Sequence, residues 1–486
     1  MKQALFGTSR NAFLAACMLG ASSAWGAATF VPGDQPFGDV PQLALTGFNL
    51  STGTQKAFQV YFDPTSWAGD VSAYPVGTDG RTQVANKLWS ASEVFRTKQA
   101  CGNGSSSDPA GSDVNYYSTD RNIVTRNATA NIAFRWPANP ASPTSAELSS
   151  TQITALKAGG TDTDGQNRLN YVRGDRSKEK YQQVLDGDGS IQSECGVSTG
   201  VFRARVSILG DALHTRPLFV GAPPADYVFD SYQAFKTANA GRPTRLFVGS
   251  NDGMVHVFDS SDGSEVWAYI PSMLIGSLDK LSTSPYTHTY FVDGNITAGD
   301  VNFGSTASPD WRTVIVGGLG AGGKGLFALD VTSADAADET QAKAKILWEI
   351  TPSSTNFGNL GYTYGTPAIA RMNTGEWAVI VGNGYLNGGT GTSVLYVIDI
   401  KTGLLIKALD TASGTAGSPN GLSTPTAIDT TFDGKIDRIY AGDIDGNMWK
   451  FDVNATASTS WPAPTLLFPT ATDLAANTPA VTKKAI

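Results

Sequence analysis

Four times in its second half the chain runs an apolar strand into glycine, turns, and runs another apolar strand into aspartate. The first strands are Leu246-Phe-Val-Gly249, Val314-Ile-Val-Gly317, Val379-Ile-Val-Gly382 and Ile439-Tyr-Ala-Gly442. Their partners are Val255-His-Val-Phe-Asp259, Gly325-Leu-Phe-Ala-Leu-Asp330, Leu395-Tyr-Val-Ile-Asp399 and Met448-Trp-Lys-Phe-Asp452. A third strand follows at Glu265–Ile270 and Lys345–Ile350, and proline marks a strand ahead of three copies, at Pro217, Pro367 and Pro425. The glycines lie 68, 65 and 60 residues apart. Four short strands per repeat, joined by turns such as Asn251-Asp-Gly253, are the signature of a β-propeller blade. The alternative is a large sandwich of unrelated hairpins. Asn477-Thr-Pro-Ala-Val481 reads as the opening strand of one more blade before Ile486. The expected fold class is therefore mainly β, a propeller that is incomplete or truncated unless earlier segments close it.

The preceding stretch has no period. Residues 27–205 are expected to be an α+β or irregular region, with a β-like run at Lys56–Phe62 and short helices at Ser149–Leu156 and Ser177–Val184. Residues 1–26 have the order of a secretory signal: Lys2 and Arg10, an apolar run from Phe13 to Gly20, and small residues at Ala24 and Gly26. The expected domains are thus 1–26, 27–205 and 206–486. Once Cys17 leaves with the signal, Cys101 and Cys195 remain as an even pair in an oxidising compartment, the pattern of a disulfide. A net charge of −8 and the absence of a Lys/Arg-rich patch argue against a nucleic-acid partner.

Asp429-Thr-Thr-Phe-Asp433-Gly434-Lys-Ile-Asp437 places acids at positions 1, 5 and 9 of a nine-residue loop, with glycine at position 6. Alternate positions point inward, glycine permits the sharp turn, and the Lys435 carbonyl at position 7 supplies a further oxygen. That is a wrap for a hard cation. Strand-like segments flank it, whereas an EF-hand needs helices and a glutamate at position 12, where Tyr440 stands. The expectation is a calcium loop carried on a β-protein, with Asp429, Thr431, Asp433, Lys435 and Asp437 as its ligand positions.

Read together, several segments resemble the PilC/PilY family of type IV pilus biogenesis proteins and tip adhesins. They include Gly210-Asp-Ala-Leu-His214, the run from Trp311 to Asp330, Leu360–Pro367, Trp377–Tyr385 and Tyr440–Asp452. Upstream, Trp67-Ala-Gly-Asp70 and Arg168–Ser177 fit as well, so the resemblance covers the chain from about residue 57 onward. It implies a quinoprotein-like propeller that binds Ca²⁺, is exported to the cell surface, fimbrium or outer membrane, and works in pilus biogenesis, twitching motility and adhesion. Minor pilins and a host-cell receptor are the implied partners. Full-length members usually carry a von Willebrand A-like domain, whose Asp-x-Ser-x-Ser motif this chain lacks. Position 3 of the loop departs from the family's usual Asp or Asn, being Thr431. Arg173-Gly174-Asp175 matches the tripeptide that integrins read and that some members are thought to use; the other reading is structural, with Arg173 paired locally.

Two further readings stand beside this one. A quinone-dependent dehydrogenase shares the blade pattern, but such enzymes often carry a vicinal cysteine pair and none is present. An outer-membrane assembly scaffold shares the propeller without needing the loop. Asp162-Thr-Asp164-Gly and Asp186-Gly-Asp188-Gly are weak calcium candidates, more simply solvated turns. His214, His256 and His288 show no metal-ligand spacing, and the Gly318–Gly325 run joins two strands, not a strand and a helix, so it is no phosphate cradle.

Overall fold

The computed structural model describes residues 43–45, 55–101, 113–180, 184–185, 191–193 and 198–468. The signal segment, Cys195, the Asp186–Asp188 cluster and the strand expected at 477–481 lie outside the described residues.

Each sequence repeat is one antiparallel four-stranded sheet, with strands a to d in chain order. We number these blades 2 to 5, because a sheet from the first half precedes them. Blade 3 is Ile296–Asn302, Trp311–Gly318, Leu326–Asp330 and Ile346–Ile350. Blade 4 is Ala368–Arg371, Trp377–Gly382, Val394–Asp399 and Leu405–Asp410, and blade 5 is Thr426–Ile428, Arg438–Gly442, Met448–Asp452 and Thr465–Phe468. Blade 2 has Leu218–Val220, Arg245–Gly249, Val255–Asp259 and Glu265–Tyr269. Its strand d pairs in parallel with Ile123–Arg126, which with Asn131–Ala133 widens the sheet to six strands.

The first half, expected to be α+β or irregular with a β-like run at Lys56–Phe62, supplies blade 1: Leu43–Leu45, Lys56–Asp63, Ala68–Pro75 and Trp89–Ser90. The a strands of successive blades pack in series, 1 on 2, 2 on 3, 3 on 4 and 4 on 5, as they do around a propeller axis. Among the described residues the series does not close into a ring. The expected helix at 149–156 forms as Ser150–Lys157, capped by Ser149 and Gln152 in a capping box. None of the described residues of the helix expected at 177–184 is helical. Glu179 is instead fully buried between Arg176 and Arg205, and it bridges to Phe202 in parallel register. A helix at Asp162–Arg173 was not expected; Thr161 and Asp164 cap it, which accounts for the first acidic cluster without a cation.

The cores lie between blades. Strand b of blade 2 shows why: Leu246 and Val248 face Phe58, Val60 and Trp89 of blade 1, while Phe247 faces Ile315 and Phe327 of blade 3. Alternate side chains point to opposite faces and both faces are covered, so the strand reads as an unbroken apolar run. The same sharing joins Val316 to Val379 across blades 3 and 4, and Ile380 to Ile439 across blades 4 and 5. Cores also mix residues on either side of 205/206: Phe58 with Leu246 in one, Leu169 and Tyr171 with Trp267 in another. Packing therefore does not divide the molecule there.

A tryptophan on strand d pins each of the first three junctions. Trp89 Nε1 donates to the Ser260 carbonyl at 3.2 Å, Trp267 to Ala334 at 2.8 Å and Trp348 to Ile400 at 2.8 Å. Two of these indoles lie over a glycine of the next blade's c–d turn, Gly263 and Gly403, both at positive φ; a Cβ there would come within 2.5 and 2.7 Å of the ring. The aspartate ending each c strand accepts backbone N–H groups of that turn, as Asp259 does from Ser261 and Asp399 from Thr402. Blade 4 has no strand-d tryptophan, since Leu405-Ile-Lys-Ala-Leu-Asp410 occupies the place.

Candidate functional site

The Asp429–Asp437 loop is the a–b turn of blade 5, between Thr426–Ile428 and Arg438–Gly442. Glycine at position 6 takes φ +81°, as the sharp turn requires, and Phe432 at position 4 takes φ +60°. Asp429 fills the loop centre. Its Oδ1 accepts the amides of Thr431 (3.1 Å), Phe432 (2.6 Å) and Asp433 (3.3 Å), and its Oδ2 accepts that of Gly434 (2.7 Å). Asp437 closes the loop: Oδ2 accepts from the Thr430 amide at 2.8 Å, the Thr430 hydroxyl at 2.6 Å and the Thr431 amide at 3.1 Å. Its Oδ1 accepts from Asn373 Nδ2 at 3.0 Å, a residue of blade 4. Asp437 is 1% exposed, and the Thr430 hydroxyl above all holds its carboxyl down to about 2.

The Thr431 N–H is thus shared by the first and last carboxylates of the loop, which draws Asp429 and Asp437 to one point. Asp433 is paired with Lys435. Lys435 Nζ lies 2.8 Å from it and lowers its pKa. Among the described residues no group of three or more His, Cys, Asp or Glu side chains is arranged to hold a metal. The donors nevertheless suit a hard cation: two converged carboxylates, a third in the same loop, the Thr431 hydroxyl and backbone carbonyls. Recruiting Asp433 requires that its ion pair with Lys435 open.

The Arg173-Gly174-Asp175 tripeptide ends the helix Asp162–Arg173, with Gly174 as its C-cap. Arg173 is 1% exposed. Its guanidinium donates to the carbonyls of Tyr117 (3.0 Å), Phe134 (2.9 Å) and Arg121 (2.7 Å) and meets Glu339 Oε1 at 3.1 Å. Asp175 is buried and accepts from Ser177. In this fold the tripeptide is a junction between the first-half helices and blade 3, and it offers no guanidinium to a receptor. Cys101 is disulfide-bonded, and its partner is not among the described residues.

The histidines, which lack metal-ligand spacing, each have an acidic partner. His256, fully buried on strand c of blade 2, contacts Glu265 at 2.7 Å and Asp252 at 3.0 Å. Burial opposes its protonation, yet the two carboxylates outweigh it and raise the imidazole to about 9. Arg121 completes this chain on Glu265 at 2.6 Å. His214 meets buried Asp293 at 2.6 Å and His288 meets buried Asp211 at 3.1 Å, both beside Tyr290.

The model of the PilY1 beta-propeller domain matches residues 209–467. The chain belongs to the PilY1 β-propeller family. The match begins close to the boundary expected at 206, although blade 1 and the first-half helices pack across it. Two curated relatives are a type IV pilus biogenesis factor PilY1 from Pseudomonas aeruginosa (strain PAK) and a PilY1 homolog from Xylella fastidiosa. The former is 36% identical over 418 residues, 83% of this chain and 31% of the relative. The latter is 31% identical over 458 residues, 87% of this chain and 29% of the relative. The chain therefore spans about a third of the length of these relatives. The crystal structure of the Pseudomonas aeruginosa PilY1 C-terminal domain is 38% identical over 48% of this chain and 45% of that one, with a TM-score of 0.40. A quinohemoprotein alcohol dehydrogenase from Comamonas testosteroni is 14% identical over 46% of this chain and 34% of that one, with a TM-score of 0.25. No helix among the described residues is long and apolar enough to cross a membrane.

Proposed function

We propose that this chain is the calcium-binding propeller portion of an exported, pilus-associated surface protein, and that it works in type IV pilus biogenesis, twitching motility and adhesion without catalysing a reaction. Family membership supports the pilus setting, with pilus components such as minor pilins as partners. The observation that carries the calcium reading is the Thr431 amide shared by Asp429 and Asp437, which gathers two carboxylates in a loop already wound by Gly434. When bound, the cation supplies positive charge that offsets the mutual repulsion of the carboxylates. Asp429 anchors the loop through its backbone amides, and Asp437 ties it to Asn373 of blade 4. Adhesion to a host-cell receptor, on this reading, works through a surface other than the buried Arg173-Gly174-Asp175 junction.

Titration calorimetry on the wild type and Asp437→Ala tests the site. Calcium uptake in roughly the 10⁻⁶ to 10⁻⁴ M range is expected for the wild type, with none for the variant. Equal affinity in both would remove the loop from consideration.

A further inference from the structure

Strand direction fixes which turns share an end of the propeller. The a–b and c–d turns of every blade emerge together, and the b–c turns emerge opposite. The large apolar side chains that stand exposed between residues 218 and 468 are unevenly divided between these ends. Val228, Phe229, Leu404, Ile428 and Phe432 lie at the a–b/c–d end, Met448 and Phe468 lie at the other, and Leu466 and Leu467 lie within the last strand. Val228 and Phe432 are each 91% exposed and Leu404 69%. Phe432 is also held at φ +60°, a region that a bulky L-residue occupies only under constraint and where Asn or Gly is at ease. Packing does not account for a strained aromatic side chain in water.

Neighbouring contacts make this end continuous. The Arg371 guanidinium lies 5.4 Å from the Phe229 ring, and its carbonyl accepts the Ile436 amide of the calcium loop at 3.0 Å. Lys401 of the turn that carries Leu404 reaches the Phe303 carbonyl at 3.0 Å and lies 5.8 Å from that ring. Apolar tips thus stand on three separate turns, with Arg371, Lys401 and Lys435 beside them.

We propose that this end is a lipid-docking face: Phe432, Val228, Phe229 and Leu404 enter the interfacial layer of a phospholipid bilayer, and the loop engages headgroup phosphate through its cation. Separate convex tips fit a fluid surface that adapts to them, whereas a protein partner would need a matching socket for each. Cations beside rings are the arrangement that places charge at the headgroup level and apolar mass below it. The acidic loop repels anionic headgroups until calcium neutralises it, so docking is calcium-dependent. This inference rests on the calcium reading above.

Co-sedimentation of the full chain with vesicles of phosphatidylethanolamine and phosphatidylglycerol, in calcium or in chelator, tests it. The wild type is expected to pellet in calcium and to stay in solution in chelator. Phe432→Asn, which suits the backbone there, is expected to weaken vesicle binding about tenfold or more, from the lost burial of one phenyl ring. Val228→Ser, on a different element from the loop, is expected to weaken vesicle binding in the same sense while leaving calcium affinity without lipid unchanged. A wild type that takes up calcium yet ignores vesicles overturns the docking face and leaves the calcium site standing. Vesicle binding that survives chelator, weakened by both substitutions but with no calcium uptake, keeps the face and discards the calcium reading. Equal pelleting of wild type and both variants also overturns the proposal.

Discussion

Lys435 pairs with Asp433, so the ammonium and a bound cation would compete for one carboxylate. Exposed ion pairs of this kind are worth about 0–1 kcal/mol. Lys435→Gln is therefore expected to tighten calcium binding by up to about fivefold, read by calorimetry at low ionic strength; weaker binding would show that Asp433 takes no part. Asp437 behaves differently. Its carboxyl is held low, so the capping it provides is present above the ordinary 3.8 and is lost only as pH falls through about 2. Arg173 is the residue whose loss should cost most. Removing it leaves three buried carbonyls and Glu339 short of a donor, and Arg173→Ala is expected to destabilise by about 3–5 kcal/mol in denaturant unfolding. Lysine should not restore it, because one ammonium cannot reproduce a planar fork that serves three carbonyls. The tripeptide admits a structural reading of Arg173, but its acceptors could not be read there, since they are backbone carbonyls far away in sequence. The loop's acid spacing was legible, but its tie to Asn373 was not.

Among elements, blades 2 to 5 were readable because their constraints fall on side-chain types. Asp259 and Asp399 end their strands because the following turn needs an acceptor. The strand-b glycines reflect a close approach: a Cβ on Gly249 or Gly382 would meet a carbonyl of the next linker at 2.6 or 2.4 Å. Register corrects one detail, since the equivalent of Gly382 in blade 3 is Gly318, not Gly317, where a Cβ would meet the Thr363 carbonyl at 2.5 Å. Blade 1 is less marked: its strand d is only Trp89–Ser90 and its first strand only Leu43–Leu45. Within blade 2, His256 gives the element a pH dependence. Its folded pKa is raised from 6.5 to about 9, so its contribution is full below 6.5 and fades as pH rises through about 9. Wild-type unfolding free energy is expected to fall over that interval, and His256→Gln should flatten the slope. An unchanged slope would mean that the imidazole is not charged in the fold.

At the scale of the whole molecule, the junctions are not alike. Junctions 1/2, 2/3 and 3/4 each have an indole pinned to a carbonyl of the next blade. At 4/5 the corresponding ties are polar: Asn373 on Asp437 and on the Ile436 carbonyl at 3.0 Å, and the Ile436 amide on Arg371. The outward face of blade 5 also differs, presenting Arg438, Tyr440 and Lys450 where the register of blade 4 has Ala378, Ile380 and Val397. Amides of blade 5 are therefore expected to exchange hydrogen faster than those of blades 3 and 4. Calcium should slow them selectively, and uniform protection with no response to calcium would contradict this.

The absent indole at the fourth junction has a mechanical consequence. A pull on blade 5 meets polar ties at this junction where the first three have an indole. On the calcium reading proposed above, the grip of the loop on Asn373 would depend on a dissolved ion. The calcium concentration would then set how far a tug on the last blade travels into the others, as a clutch does.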